Sequence, residues 1–249
     1  MFIANGVEML EISISVMGKE SIIYPTVLKD EENVVLVDAG FPGEENLLKI
    51  REEMERKGIS LGDINKIILT HQDLDHIGGV AGIKKKDSRE IQILSHSLEK
   101  PYIQGEKRPI KITDEVIAGL EALPNELRRQ LKAVFQNPPK VKVDKEIVDG
   151  EELPIGDGVV VIHTPGHTPG HISLYIKENK TLIAGDALNI ENERLCGPDP
   201  QQTVDMTLAM ESIRKLMKYD IKTVICYHGG VYRGDFREGA EALIRNQED

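Results

Sequence analysis

The chain has 249 residues, 40% of them hydrophobic, and a formal net charge of −11. That length and apolar content suit one large domain or two small ones with a sizeable core, and exclude disordered and collagen-like chains. An acidic chain repels phosphate backbones, so nucleic acid is not an expected partner.

No apolar run approaches the roughly 20 residues of a membrane helix, so no membrane association is expected. The N-terminus, "MFIANGVEMLEISISV", lacks a basic region followed by an apolar core, so no secretory signal is read and a cytoplasmic location is expected. Strand-like runs come first: "MLEISISV", "SIIYPTVL" and "NVVLVDAG", rich in β-branched residues. "GEENLLKIREEMERKG" follows, with Leu47, Ile50 and Met54 at helical spacing and Gly58 as a stop. "INKIILTH" reads as a strand, "IGGVAGIKKK" as a helix and "EIQILSH" as another strand. The basic stretch "IKKKDSRE", Ile83 to Glu90, reads as a solvated helix end.

Residues 97–140 differ in character. They hold Pro101, Pro109, Pro124, Pro138 and Pro139, with helical pieces around "DEVIAGLEAL" and "NELRRQLKAVF". This is read as a helical segment inserted on the surface of one domain spanning 1–249, either covering a site or merely connecting the scaffold. Strands resume with "KVKVDKEIVDG", "GVVVIHTPGH", "HISLYIKE" and "KTLIAGDAL". "TVDMTLAMESIRKLMKYD" is a helix whose stripe of Met206, Met210, Ile213 and Met217 is core packing. "IKTVICYHGG" is a last strand and "FREGAEALIRNQED" a closing helix. The order is that of an α/β protein with sheets covered by helices. The two cysteines lack metal-like spacing and are expected as free thiols, Cys226 in a buried strand and Cys196 in a loop.

The chemistry lies in the His and Asp residues that fall where strands end. His71, Asp73, Asp75 and His76 follow "KIILT"; His163, His167 and His171 lie in "VIHTPGHTPGH"; Asp186 ends "TLIAGD"; His228 ends "TVICYH". Strand ends of an α/β protein converge on one edge of a sheet. Imidazole and carboxylate are the usual ligands of borderline and hard divalent metals. Four titratable groups directly after a buried strand are costly to desolvate unpaired, and a metal removes that cost.

Taken in order, "LVDAGFPGE", "THQDLDHIGG", "TPGHTPGH", "IAGDAL" and "CYHGG" resemble the metallo-β-lactamase superfamily over nearly the whole chain. The resemblance implies a four-layer αββα sandwich with two mixed sheets. It implies two divalent metals at one edge, zinc or else iron or manganese. One would be held by His71, Asp73 and His167, the other by Asp75, His76 and His228, with Asp186 bridging them. His171 and Asp38 would support the ligands by hydrogen bonding, and His163 would pack on its strand. The usual pattern H-x-H-x-D-H reads here H-Q-D-L-D-H. Asp73 thus replaces a His, which adds a negative charge and favours a harder ion at the first metal.

The activity implied is hydrolysis of an ester, lactone, thioester or similar bond in a small molecule, by hydroxide held between the metals. Asp75 or Asp186 would orient the nucleophile and move its proton. Asn189, Glu193, Arg194 and Tyr227 are candidate pocket residues. Tyr102, Lys107 and Arg108 of the insert would suit an anionic substrate. The absence of a Tyr shortly after Asp186 lowers the lactonase reading. The alternative class is a di-iron enzyme reducing oxygen or nitric oxide, which needs a separate electron donor. A third is a binding module with no turnover. Oligomeric state is not legible.

Overall fold

The computed structural model describes residues 1–16, 19–86 and 90–248. In chain order the first strands are β1 (Phe2–Ala4), β2 (Val7–Met9), β3 (Ile12–Val16), β4 (Lys19–Ile23), β5 (Thr26–Lys29), β6 (Val34–Val37), β7 (Lys66–Leu69), β8 (Gln92–His96) and β9 (Lys145–Ile147). The second half adds β10 (Glu152–Leu153), β11 (Val159–His163), β12 (Ile172–Ile176), β13 (Thr181–Gly185), β14 (Asn189–Glu191), β15 (Arg194–Cys196), β16 (Thr223–Cys226) and β17 (Gly230–Tyr232). The helices are α1 (Glu44–Arg56), α2 (Leu74–Ile77), α3 (Val80–Lys86), α4 (Lys100–Ile103), α5 (Asp114–Gly119), α6 (Asn125–Gln136), α7 (Met206–Leu216) and α8 (Phe236–Glu248).

Two mixed sheets carry the fold. One runs β1-β2-β5-β6-β7-β8-β9, the other β10-β11-β12-β13-β16-β17. Strands β6 to β9 are parallel, as are β13 and β16; the other pairings within these sheets are antiparallel. The period of two along each strand then sorts side chains into layers. Val35, Val37 and Ile68 face Val161, Leu174, Ile183 and Ile225 between the sheets. Their neighbours Leu36, Ile67 and Leu69 point outward into a cluster with Leu47, Ile50 and Met54 of α1 and Ile83 of α3. On the other side Ile162, Leu182, Ala184 and Val224 pack with Met210, Ile213 and Leu216 of α7 and Phe236 of α8. Both faces of the central strands are buried, which is why they read as continuous apolar runs. The result is the αββα sandwich.

Three apolar runs are shorter as elements than they read. "MLEISISV" breaks at Leu10, whose N–H donates to Pro25 O (2.8 Å), and "SIIYPTVL" breaks at Pro25, which has no N–H to give a ladder. The pieces β3 and β4 separate as a two-stranded sheet of their own. Only Lys145–Ile147 of "KVKVDKEIVDG" forms a strand. "IGGVAGIKKK" is not one helix: Gly78 and Gly79 divide α2 from α3. A Cβ on Gly79 would lie 2.1 Å from Ala39 O, so only glycine lets the loop after β6 approach here. Asp87, Ser88 and Arg89 of the basic stretch lie outside the described residues.

The segment between β8 and β9 is helical. It anchors through buried Ile103, Ile112 and Leu120, whereas α6 buries no residue. Among the described residues no helix is long and apolar enough to cross a membrane.

Candidate metal centre

Parallel strands end on the same side, and the candidate ligands of both sheets follow such ends. Past β6 the chain turns through Asp38, whose φ of 61° is in the left-handed region. That turn buries its carboxylate, 1% exposed, against the end of β7. Asp38 Oδ1 accepts from Thr70 N (2.9 Å), and Oδ2 accepts from Thr70 Oγ1 (2.8 Å) and His76 Nδ1 (2.8 Å). With Nδ1–H donated to Asp38, His76 presents Nε2 to the opposite side. His71 is oriented in a similar way, its Nδ1 lying 3.0 Å from Thr70 Oγ1. Tyr227 packs against His76 with the rings tilted by 33° and their centroids 3.9 Å apart, and donates its hydroxyl to Asp75 O (2.5 Å).

The second sheet supplies His167, Asp186 and His228. His171, fully buried, accepts from Asp186 N at Nε2 (3.0 Å). Its Nδ1–H is then the donor to Thr164 Oγ1 (2.9 Å), which passes on to Ser173 Oγ (2.9 Å) and Ala184 O (3.0 Å). This relay fixes the tautomer of His171 and the backbone of Asp186. Burial, with His71 and His167 nearby, holds His171 well below the ordinary imidazole value, in keeping with an acceptor Nε2. Gly185, with φ of 56°, makes the approach possible: a Cβ there would lie 2.6 Å from His171 Nε2.

All seven expected ligands converge. His71, Asp73, His167 and Asp186 form one group, and Asp75, His76 and His228 another; within each, one ligand atom per residue lies within 4.8 Å of the others. In the first, Asp73 Oδ2 is 3.2 Å from His71 Nε2 and 3.1 Å from His167 Nε2, and Asp186 Oδ2 is 3.3 Å from His167 Nε2. In the second, Asp75 Oδ2 is 3.3 Å from His228 Nε2 and 3.7 Å from His76 Nε2. Asp186 touches this group too, with Oδ1 3.4 Å from His76 and Oδ2 3.5 Å from His228. Ligands about 2.05 Å from a tetrahedral ion sit about 3.3 Å from one another, so the side chains stand at coordination spacing. His71 Nε2 and His76 Nε2 are buried with no hydrogen-bond partner despite the carboxylates beside them. Close but misaligned for hydrogen bonding, these atoms fit a shared cation.

The electrostatics agree. Burial alone would lower His76, but Asp186, Asp38 and Asp75 outweigh it and raise it well above the imidazole range. Burial likewise opposes charge on His228, and Asp186 and Asp75 push it up to about 10. Burial would raise Asp186, yet His228 and His76 hold it well below the carboxylate range. The carboxylates require positive charge at this point, as protons or as metal.

The seam opens into a cleft of about 920 Å³. Asp73, Asp75, His167, Asp186 and His228 floor it; Ile14, Phe41, Met206, Met210 and Leu243 line its apolar side. The Met206 and Met210 stripe therefore serves the cleft as well as the core. Asn189 lines the cleft as expected; Glu193 and Arg194 do not, and Tyr227 lies beneath His76 instead. Cys196 ends strand β15 at the cleft wall rather than lying in a loop, and both thiols are free. Of the insert residues, Arg108 pairs with Asp114 and Lys107 lies over the Tyr102 ring, away from the lining. His163 sits on β11 with Nε2 2.9 Å from Pro169 O, stacked on His96 with centroids 4.3 Å apart.

Three site residues had no sequence signal: Glu99, Gln72 and Lys111. Glu99, fully buried, accepts from Gln72 N (3.0 Å), Gln72 Nε2 (2.9 Å) and Gly170 N (2.7 Å), tying the loop of His71 to that of His167. Lys111 donates to Asp73 Oδ2 and lies 2.7 Å from His167 Nε2.

This fold and this convergence of His and Asp define a metallo-hydrolase. The profile of the metallo-beta-lactamase superfamily matches residues 19–228, and the chain belongs to that superfamily, as a hydrolase of its fold. It is 29% identical to the probable metallo-hydrolase YflN of Bacillus subtilis (strain 168), covering 96% of this chain and 92% of that protein. It is also 29% identical to the hydroxyacylglutathione hydrolase GloC of Haemophilus influenzae, over 64% of this chain and 63% of that one. A metallo-beta-lactamase family protein from Thermus thermophilus superposes with a TM-score of 0.74 at 22% identity, covering 98% of this chain and 80% of its own.

Proposed function

We propose that the protein hydrolyses an ester, lactone, thioester or similar bond in a small molecule, with two divalent ions as cofactors. His71, Asp73 and His167 hold one ion, Asp75, His76 and His228 the other, and Asp186 spans both. The whole chain acts as one domain with 97–140 as its insert. Zinc is the expected metal, and the carboxylate of Asp73 gives the first position an affinity for manganese or iron as well. The observation that carries the reading is the coordination spacing of the seven side chains, with His71 Nε2 and His76 Nε2 buried and unpartnered.

Two ions held there would acidify a bound water to a pKa of about 7 and act as a Lewis acid towards the scissile carbonyl. The chain supplies the rest. Asp75 or Asp186, both at the cleft floor, would orient the attacking water and take its proton. The same carboxylate would return that proton to the leaving group. Asp38 and His171 keep His76 and Asp186 in register. Glu191 and Asp199 add acid to the cleft wall, and Lys111, the cation at its floor, is already paired with Asp73. That favours a neutral, partly apolar acyl substrate over an anionic one.

The test is elemental analysis of protein purified without chelator, with turnover of neutral esters, lactones and thioesters beside a glutathione thioester. Two ions per chain and metal-dependent turnover of the neutral substrates are expected. No stoichiometric metal after reconstitution would sink the reading. Two irons without hydrolysis would replace it with the redox alternative.

A further inference from the structure

We propose that Lys111 is a tethered internal cation that competes with the first metal for Asp73 and His167, so that the Asp75–His76–His228 position loads first. This rests on the two-metal reading above. The Lys111 ammonium touches two of the four side chains in the first group: it donates to Asp73 Oδ2 and lies 2.7 Å from His167 Nε2. Among the described residues no Lys or Arg ion-pairs with the carboxylate of the second group, Asp75. The two groups share Asp186 and differ in this cation.

The backbone of Lys111 is pinned on both sides. Ile110 N donates to Gln72 Oε1 (2.8 Å), and Gln72 is held by buried Glu99. Ile112 is 4% exposed, and its N–H donates to Pro109 O (3.0 Å). Gln72 lies between His71 and Asp73, so the loop that carries the ligands also aims the insert. The ammonium is therefore delivered by fixed backbone and can leave only by rotation of its own four-carbon stem. Its side chain is 21% exposed and that of Asp73 16%, which gives it a route to solvent. A divalent ion entering the first group must displace it. A compact, strongly hydrated ammonium suits a displaceable occupant better than a guanidinium fork would. Asp73 then has two roles, as metal ligand and as the anchor of the competing charge.

The experiment is calorimetric titration of metal-free protein with zinc, and separately with manganese, in competition with a chelator. The unaltered protein should show a tight and a weak step. Asp75→Asn should abolish the tight step and Asp73→Asn the weak one. Lys111→Met keeps the stem and removes the charge; it should tighten the weak step by about tenfold, the weight of one unit charge beside a partly buried carboxylate. The tight step should not move, which also certifies the fold of the variant. Two equivalent steps in the unaltered protein, an unmoved weak step in Lys111→Met, or equal tightening of both steps would overturn the proposal. Each of those outcomes leaves the two-metal reading intact. Failure of the unaltered protein to bind metal would overturn both.

Discussion

Replacing Asp38 with Asn tests how the second metal position is held. The side chain keeps its shape, and Asn tolerates the left-handed backbone at φ 61° as Asp does, so strain is not a confounder. The carboxylate accepts three hydrogen bonds, two from Thr70 and one from His76 Nδ1. An amide can serve Thr70 with its oxygen, but its NH2 then faces His76 Nδ1–H, donor against donor. His76 must move or take the other tautomer, which puts a proton on the Nε2 that a metal needs. A hydrogen bond to a charged group is worth about 1.5–3 kcal/mol, so the metal-free protein should lose about 2–4 kcal/mol. At this chain length that lowers Tm by about 4–16 °C. Loss of an outer hydrogen bond to a ligating His typically costs about 10–100-fold in metal affinity, and the loss should fall on the Asp75–His76–His228 position. Chelator competition and a thermal melt of the metal-free protein read the two effects. A lowered Tm with unchanged second-position affinity would refute the reasoning and leave Asp38 a structural residue only.

Glu99→Gln sets an amide donor against Gln72 or Gly170 N–H; a destabilisation of about 2–3 kcal/mol is expected in urea melts, with affinity lost at the first position alone. Gly185→Ala meets both a left-handed φ and His171 Nε2 at 2.6 Å, and should cost about 2–4 kcal/mol by the same assay together with metal uptake. In metal-free protein at neutral pH, His76 and His228 carry protons that metal must displace, so titration in buffers of different ionisation enthalpy should show about two protons released on full loading. The same shifts set the stability profile. His228 lies above its ordinary 6.5, so its contribution is whole below that pH and is lost as pH rises through about 10. Asp73 and Asp186 lie below their ordinary 3.8, so theirs is whole above that value and is lost as pH falls through the lower folded values. Thermal melts of metal-free protein should therefore peak between those two ordinary values and decline into alkali.

The layers were legible because a strand buried on both faces cannot alternate, and "NVVLVDAG" and "KIILT" do not. The convergence of the His and Asp residues was legible because strand ends bring polar residues to one edge, whereas the choice of seven candidate ligands and their division into two groups came from the resemblance. Asp38 was legible only through the resemblance of "LVDAG" to the superfamily pattern. Lys111, Gln72 and Glu99 were not, because one Lys, one Gln and one Glu in a polar sequence carry no period. Their meaning comes from the distance between residues 72, 99, 110 and 170, which only the folded chain sets. The breaks at Leu10 and Pro25 were hidden by a continuous run of apolar residues, in which a single exchanged hydrogen bond decides where one sheet ends and a hairpin leaves it.

Each ligand group draws on both sheets. His71 and Asp73 come from one and His167 and Asp186 from the other; Asp75 and His76 face His228 in the same way. A cation at either position is thus a rivet through the seam, joining chain segments more than ninety residues apart in sequence. Closing so long a loop costs entropy that the unfolded chain cannot recover while the rivet holds. On the proposed two-metal reading, loading and the clamping of the two halves would be one event, and metal-free protein would be both idle and easier to pull apart.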